Sequence, residues 1–263
     1  LFPLFPLGDR IRTGRERSRM SAALSIQNLN AWYTPKKPVL SGLSLELRAH
    51  ESIGLIGLNG AGKTTLLNVL SGLHGDFHAD ALRSNEKTVS FRDKRFKRYR
   101  YTVFAEDHSF SFFTFREYLS YVFRAYKKQV PNVEDLIGGF GFEAYTDKLF
   151  GDLSMGNRKK AFLITAFALK PELLFLDEPV NGLDFSGTEF LYRLIKGYGA
   201  YGTLLFSSHI LESITLTADR VLVLKEGQIS GSFSREEMDA EEIRRALGTA
   251  ELENSNYGTG IEE

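Results

Sequence analysis

The chain has no cysteine, which excludes disulfides and thiolate metal sites and is compatible with a reducing compartment. It has no net charge either: 33 Lys plus Arg balance 33 Asp plus Glu in 263 residues. A neutral chain gives no global electrostatic case for nucleic acid as a partner, although a local basic face stays open. No apolar run reaches the ~18 residues of a membrane-crossing helix. At a membrane, another chain has to supply the span. Glutamine is scarce and occurs only at Gln27, Gln129 and Gln228. Aromatic residues are plentiful, with 21 Phe and 11 Tyr that either fill a core or form an adhesive face. The length suits one large α/β domain or two small ones.

The most informative stretch is Ser52–Leu67, an apolar strand, a glycine-rich turn and the start of a helix. Gly57, Gly62, Lys63 and Thr64 fit G-x-x-x-x-G-K-[ST], the phosphate-binding loop. Glycines let the backbone curl until several N–H groups face one anion, and the following helix aims its positive end at the same point. Lys63 is expected to reach the β- and γ-phosphates, and the Thr64 hydroxyl to ligate Mg²⁺.

The flanking chain reads as follows. Residues Leu1–Arg19 carry an apolar, proline-broken start followed by five arginines, the reverse of a signal peptide's order. The expectation is an added or mistranslated leader without fixed structure, with a lipid-touching basic arm as the alternative. Ser25–Ala31 reads as a strand and Trp32-Tyr33-Thr34-Pro35 as a turn. Leu43, Leu45 and Leu47 alternate with polar residues, as in a half-buried strand, and Ser52–Ile56 reads as a buried parallel strand. Gly75–Arg100 is strongly basic and reads as a solvated face of short antiparallel strands. Tyr101–Ala105 reads as a strand, and roughly 107–169 as a helical insert, with a capping box at Thr114 and Glu117. From Leu173 the pattern is β-α-β again. It ends in a hairpin around Glu226-Gly227, a second capping box at Ser234 and Glu237 for a final helix, and a frayed tail.

Two further motifs complete the pattern. Leu173–Leu176 is a buried strand that ends in Asp177-Glu178-Pro179. Carboxylates at that end of a parallel strand sit where open α/β sheets bind ligands. Asp177 can hold Mg²⁺ through water, and Glu178 can take a proton from an attacking water. Leu153-Ser154-Met155-Gly156-Asn157 opens a long helix, where Ser154 is a plain N-cap or part of an anion site.

Together with Asp184 and His209, these motifs resemble the nucleotide-binding subunit of an ABC transporter, over about Leu24–Ser232. The resemblance implies a P-loop NTPase α/β fold of ABC type. Its parts would be a mainly parallel central sheet with flanking helices, an antiparallel β subdomain and an inserted helical subdomain. The expected division is a leader at 1–19, the ATP-binding domain at 20–233 and a C-terminal helix with tail at 234–263. It implies that Tyr33, or its neighbour Trp32, stacks on adenine. Gly57, Leu58, Asn59, Gly60, Ala61, Gly62, Lys63, Thr64 and Thr65 match the Walker A loop. Asp177 matches the Mg²⁺ carboxylate, Glu178 the catalytic base, and His209 the histidine that meets the γ-phosphate. Asp184 matches the loop that joins two subunits, and Ser154 and Gly156 the signature that meets the γ-phosphate of a second copy.

Two motifs depart from the family pattern. Met155 and Asn157 stand where the signature has glycine and glutamine. No glutamine lies near the strand that enters the helical insert; Glu106 stands there, where it can meet Mg²⁺ or orient water. Glu106 is a hint of the export-type branch. The resemblance further implies ATP and Mg²⁺ as ligands, a head-to-tail dimer, and a separate transmembrane permease. The chain would then be cytoplasmic and peripheral on the inner face of the cell membrane. Phe110, Phe112, Phe113 and Phe115 fall where the family forms the groove for that partner, or else they pack inside the insert. The competing readings are a soluble ABC-type ATPase acting on nucleic acid or ribosomes, and a non-hydrolysing ATP-binding module. With one cassette and no sustained heptads, no nucleic-acid partner is expected.

Overall fold

The structure, a computed structural model, describes residues 22–35 and 37–248. The expected leader and tail therefore lie outside the described residues. Eleven strands are named in chain order: β1 (Ala22–Thr34), β2 (Lys37–Arg48), β3 (Ser52–Ile56), β4 (Phe77–His78), β5 (Ala81–Ser84), β6 (Lys87–Thr88), β7 (Arg100–Val103), β8 (Leu173–Leu176), β9 (Thr203–Ser208), β10 (Arg220–Lys225) and β11 (Gln228–Ser234). The α-helices are α1 (Lys63–Ser71), α2 (Lys94–Lys97), α3 (Phe115–Ala125), α4 (Glu134–Gly139), α5 (Met155–Leu169), α6 (Phe185–Gly197), α7 (Leu211–Thr217) and α8 (Ala240–Leu247).

Among the described residues the strands form two sheets. The central sheet runs β11-β10-β3-β9-β8-β7. All its pairs are parallel except the β10–β11 hairpin at one edge. The second sheet, β2-β1-β5-β6 with β4 also on β1, is antiparallel. The expected P-loop NTPase α/β architecture is thus present.

The pleat of the central strands sorts their side chains into two cores. Ile53, Leu55, Leu173, Phe175, Leu205, Leu222 and Leu224 face the antiparallel sheet and α1. Ile56, Leu174, Leu176, Leu204, Phe206, Val221 and Val223 face the helical side. This period of two explains why these strands read as continuous apolar runs: both faces are covered. At Gly54 a Cβ would stand 2.5 Å from the Ile214 side chain, so the glycine lets α7 lie directly on β3. Much of the aromatic content is core, including Phe115, Phe123, Phe140, Phe142, Phe150 and Phe167 on the helical side.

Some sequence expectations are corrected in detail. Residues Trp32–Thr34 are not a turn. They continue β1, with Trp32 opposite Pro38 and Thr34 opposite Lys37, because the partner strand extends the ladder past several register shifts. The Ser234–Glu237 box caps only a one-turn 3₁₀ helix (Arg235–Glu237), and Asp239 caps α8 by accepting from the Glu241 N–H. In the basic stretch, β4–β6 give way to α2, and Arg100 turns inward. Its guanidinium lies over Phe91 and Phe96 and donates to the carbonyls of Ser71 and Phe91. Burial pushes it down to about 10.

Candidate functional site

The phosphate loop lies between β3 and α1, at the C-terminal end of a central strand. Gly60 and Gly62 have φ of 81° and 107°, values that L side chains rarely adopt. At Gly57 a Cβ would come within 2.5 Å of the Leu224 carbonyl oxygen, so this position has no room for a side chain. Local bonds close the loop: Ala61 N–H donates to Leu58 O at 3.1 Å, and Leu66 N–H to Gly62 O at 2.8 Å.

Lys63 folds back over this loop. Its Nζ donates to the Gly57 carbonyl at 2.6 Å and to the Leu58 carbonyl at 3.4 Å, and stands 4.0 Å from Glu178 Oε1. A buried ammonium with only carbonyls and one distant carboxylate around it is a receptor for an anion.

The order β3-β9-β8 brings the two carboxylates to the loop. Thr64 Oγ1 donates to Asp177 Oδ2 at 3.0 Å across 113 residues of chain. Ser207, on β9, donates to Asp177 Oδ1 at 2.6 Å and accepts from the Glu178 N–H at 2.9 Å. Glu178 itself has φ of 44°, a left-handed conformation that costs about 1–2 kcal/mol. Its carboxylate accepts from His209 Nδ1 at 2.9 Å. Acid, imidazole and ammonium therefore converge on one spot.

A cleft of roughly 400 Å³ opens there, lined by Leu58, Asn59, Gly60, Gly62, Lys63, Thr64, Thr65, Glu178 and His209, with Val39 and Asn181. Gly57 and Ala61 support the loop from behind. Tyr33 stands beside the loop: it is 59% exposed, its hydroxyl lies 3.4 Å from Thr65 Oγ1, and its ring meets His74 edge-on at 4.8 Å. An exposed aromatic ring therefore stands next to the phosphate cradle.

Other predicted residues are not brought into the cleft. Glu106 follows β7, whose Val103 carbonyl accepts from the Asp177 N–H at 2.8 Å, yet its side chain does not line the cleft. Ser154 caps α5, accepting from Asn157 N–H at 3.3 Å. Gly156 lies against Gly182, and a Cβ on it would stand 2.1 Å from the Gly182 carbonyl oxygen. Asp184 caps α6 by accepting from Gly187 N–H at 2.7 Å and binds Lys160 Nζ at 2.6 Å. The Lys160 hydrogen bond, with that cap, holds the Asp184 carboxyl below the usual range. Ser154, Gly156 and Asp184 thus lie outside the lining of the cleft.

Val39, Asn181 and Ser207 were not singled out from the sequence. Ser207 alone had a local signal, its place two residues before His209 at the end of a strand. Lys159, one helical turn into α5, was also missed. Burial pushes its ammonium down to about 8, while Asp177, Glu178, Asp107 and Glu106 oppose that shift.

Comparisons agree with this geometry. Residues 40–181 match the family model described as ABC transporter. AlbC of Bacillus subtilis, named as an ABC transporter ATP-binding protein, is 34% identical over 215 residues, covering 78% of this chain and 89% of that protein. The energy-coupling factor transporter ATP-binding protein EcfA2 of Clostridium perfringens is 31% identical over 225 residues, covering 79% of this chain and 78% of the relative. A solved structure of an ATP-binding subunit of an ABC transporter superposes with a TM-score of 0.75 at 25% identity, over 89% of this chain and 98% of the other. With the phosphate loop, the paired carboxylates and the histidine converging on one cleft, the chain belongs to the ABC transporter family, as an ATP-binding cassette with ATPase activity.

Proposed function

We propose that this ATPase is the energy-supplying subunit of a membrane transporter, acting as a head-to-tail pair beneath a separate membrane-spanning chain. The observation that carries the reading is the grouping of Lys63, Thr64, Asp177, Glu178 and His209 at one cleft. In this reading the N–H groups of Gly57–Thr65 and the Lys63 ammonium bind the phosphates, and Tyr33 stacks on adenine. Glu178 accepts the proton of the attacking water while His209 orients its carboxylate and faces the γ-phosphate. The oxygen-only donor set of Thr64 and Asp177, with Glu106 following the strand whose Val103 carbonyl accepts from the Asp177 N–H, fits Mg²⁺. When bound, that ion neutralises charge on the phosphate oxygens. Chelation with EDTA is expected to abolish hydrolysis. Asp177→Asn should raise the Mg²⁺ concentration for half-maximal rate about tenfold or more. Turnover indifferent to EDTA would refute the metal assignment.

Pairing rests on what lies outside the cleft. Ser154, Gly156 and Asp184 do not line their own cleft, and a second copy related by a two-fold axis would bring them to it. Leu58, Met155, Phe185 and Ile210 are exposed, each adjoining one of the site motifs in sequence. Two copies closing on ATP would remove these apolar groups from water. Ordering by the γ-phosphate makes the pair a two-state switch.

The membrane partner has a candidate seat just past Glu106. Phe110 and Phe113 stack on each other with centroids 5.5 Å apart, and both pack against the core. Phe115 is fully buried, whereas Phe112 is 91% exposed beside them. Of these four phenylalanines, Phe112 is the exposed one, placed to enter a partner. Phe112→Ser is expected to leave basal ATP hydrolysis within twofold of wild type (about 0.4 kcal/mol) and to cut recovery of the membrane chain in a pull-down. Unchanged recovery would count against this seat. With that partner the cassette would sit on the cytoplasmic face of the membrane. The direction we assign is export, on Glu106 alone.

A further inference from the structure

Lys159 is a cation placed where none is needed for packing. It is 4% exposed, and its Nζ donates to the carbonyl oxygens of Phe104 at 2.7 Å and Ala105 at 2.6 Å. Among the described residues no carboxylate stands within ion-pair distance of it. An ammonium taken from water with carboxylates near but none in contact is held by what it bonds, here two consecutive backbone oxygens. These oxygens mark the corner where the chain leaves β7, and Glu106 is the next residue.

The other end of the same side chain belongs to α5, the helix capped by Ser154. Just before the corner, the Val103 carbonyl accepts from the Asp177 N–H at 2.8 Å. Signature helix, corner and Mg²⁺-side carboxylate are therefore joined through Lys159 and one backbone bond. An apolar side chain of equal length would fill the space but leave both carbonyls without this partner, and the corner free to turn.

We infer that Lys159 is a positioning residue for Glu106, clamping the Phe104–Ala105 corner to the helix that starts at Ser154 so that the two move as one body. When a second copy's nucleotide engages Ser154, Glu106 is carried with it. The inference rests on the proposed role of Glu106 toward the bound nucleotide and its metal, and adds how that carboxylate is set.

The test uses the full chain with Mg-ATP. Lys159→Met keeps the volume and removes the donors; Lys159→Arg keeps donors. Lys159→Met is expected to lower kcat about 10- to 100-fold, as a displaced group does, with KM for ATP within twofold. Lys159→Arg should recover most of that loss. Amides 104–107 should exchange hydrogen faster in the methionine variant. If that variant is insoluble, Lys159→Leu, which also lacks donors, serves in its place with the same expected losses. In a Glu106→Ala background the Lys159 substitution should add nothing, since it acts through Glu106. Wild-type kcat in the methionine variant, no recovery with arginine, or fully additive losses would each overturn the inference. Slow turnover in Glu106→Ala beside normal turnover in Lys159→Met would overturn it alone. Normal turnover in Glu106→Ala would remove the role of Glu106 as well.

Discussion

Replacing Glu178 by glutamine is expected to slow ATP hydrolysis by about 10²- to 10⁴-fold, the usual contribution of a general base, while ATP binding is kept or strengthened. The amide retains the shape of the carboxylate and can still bond His209, whose Nδ1 now lies 2.9 Å from Glu178. It cannot take a proton from water. It also removes one negative charge 4.0 Å from Lys63, at the place where a triphosphate must enter. Less repulsion of the ligand and no turnover should leave the protein closed around ATP. Single-turnover assays would read the first effect, and the elution volume with and without Mg-ATP the second. Full hydrolysis by this variant would remove Glu178 from the role of base.

Complementation between two dead variants is the second large effect. Lys63→Ala loses the phosphate ammonium of its own cleft. Ser154→Arg leaves that cleft untouched, since Ser154 caps α5 and does not line it. If the copies pair head to tail, both variants should be inactive alone. A mixed dimer, however, contains one site with intact Lys63 from one copy and intact Ser154 from the other. Random mixing makes half the dimers mixed, each with one good site of two, so roughly a quarter of wild-type activity should return. Each Ser154 acting on its own cleft would restore nothing. Full activity of Ser154→Arg alone would equally defeat the pairing.

Much of the fold was legible because its signals are local. The alternation Leu43, Leu45, Leu47 is buried as read, against exposed Ser44, Glu46 and Arg48. The Thr114–Glu117 capping box forms with both reciprocal bonds. The misreadings came where distant chain overrides local preference. Trp32–Thr34 read as a turn beside Pro35, but β2 pairs with it and keeps it extended. Ser234 and Glu237 do form a box, yet the chain reopens at Met238, and Asp239 starts the helix. Arg100 read as part of a solvated basic face. Its place at the start of β7, below Phe91 and Phe96, turns it inward instead.

The sequence by itself determined the chemistry of each short segment. A glycine loop that has to curl, a lysine and threonine that follow it, a strand ending in two carboxylates, and caps on helices all depend on neighbours a few residues away. Tertiary structure alone decided which of those segments share a cleft. Thr64 meets Asp177 because a single strand, β9, separates β8 from β3, and Ser207 on that intervening strand reaches the Asp177 carboxylate and the Glu178 backbone N–H. The same packing leaves Ser154, Gly156 and Asp184 off the lining of the cleft, and it sets Lys159 on the corner before Glu106. Strand order and helix docking arise from burying two apolar faces at once, a sum over the whole chain that no single motif contains.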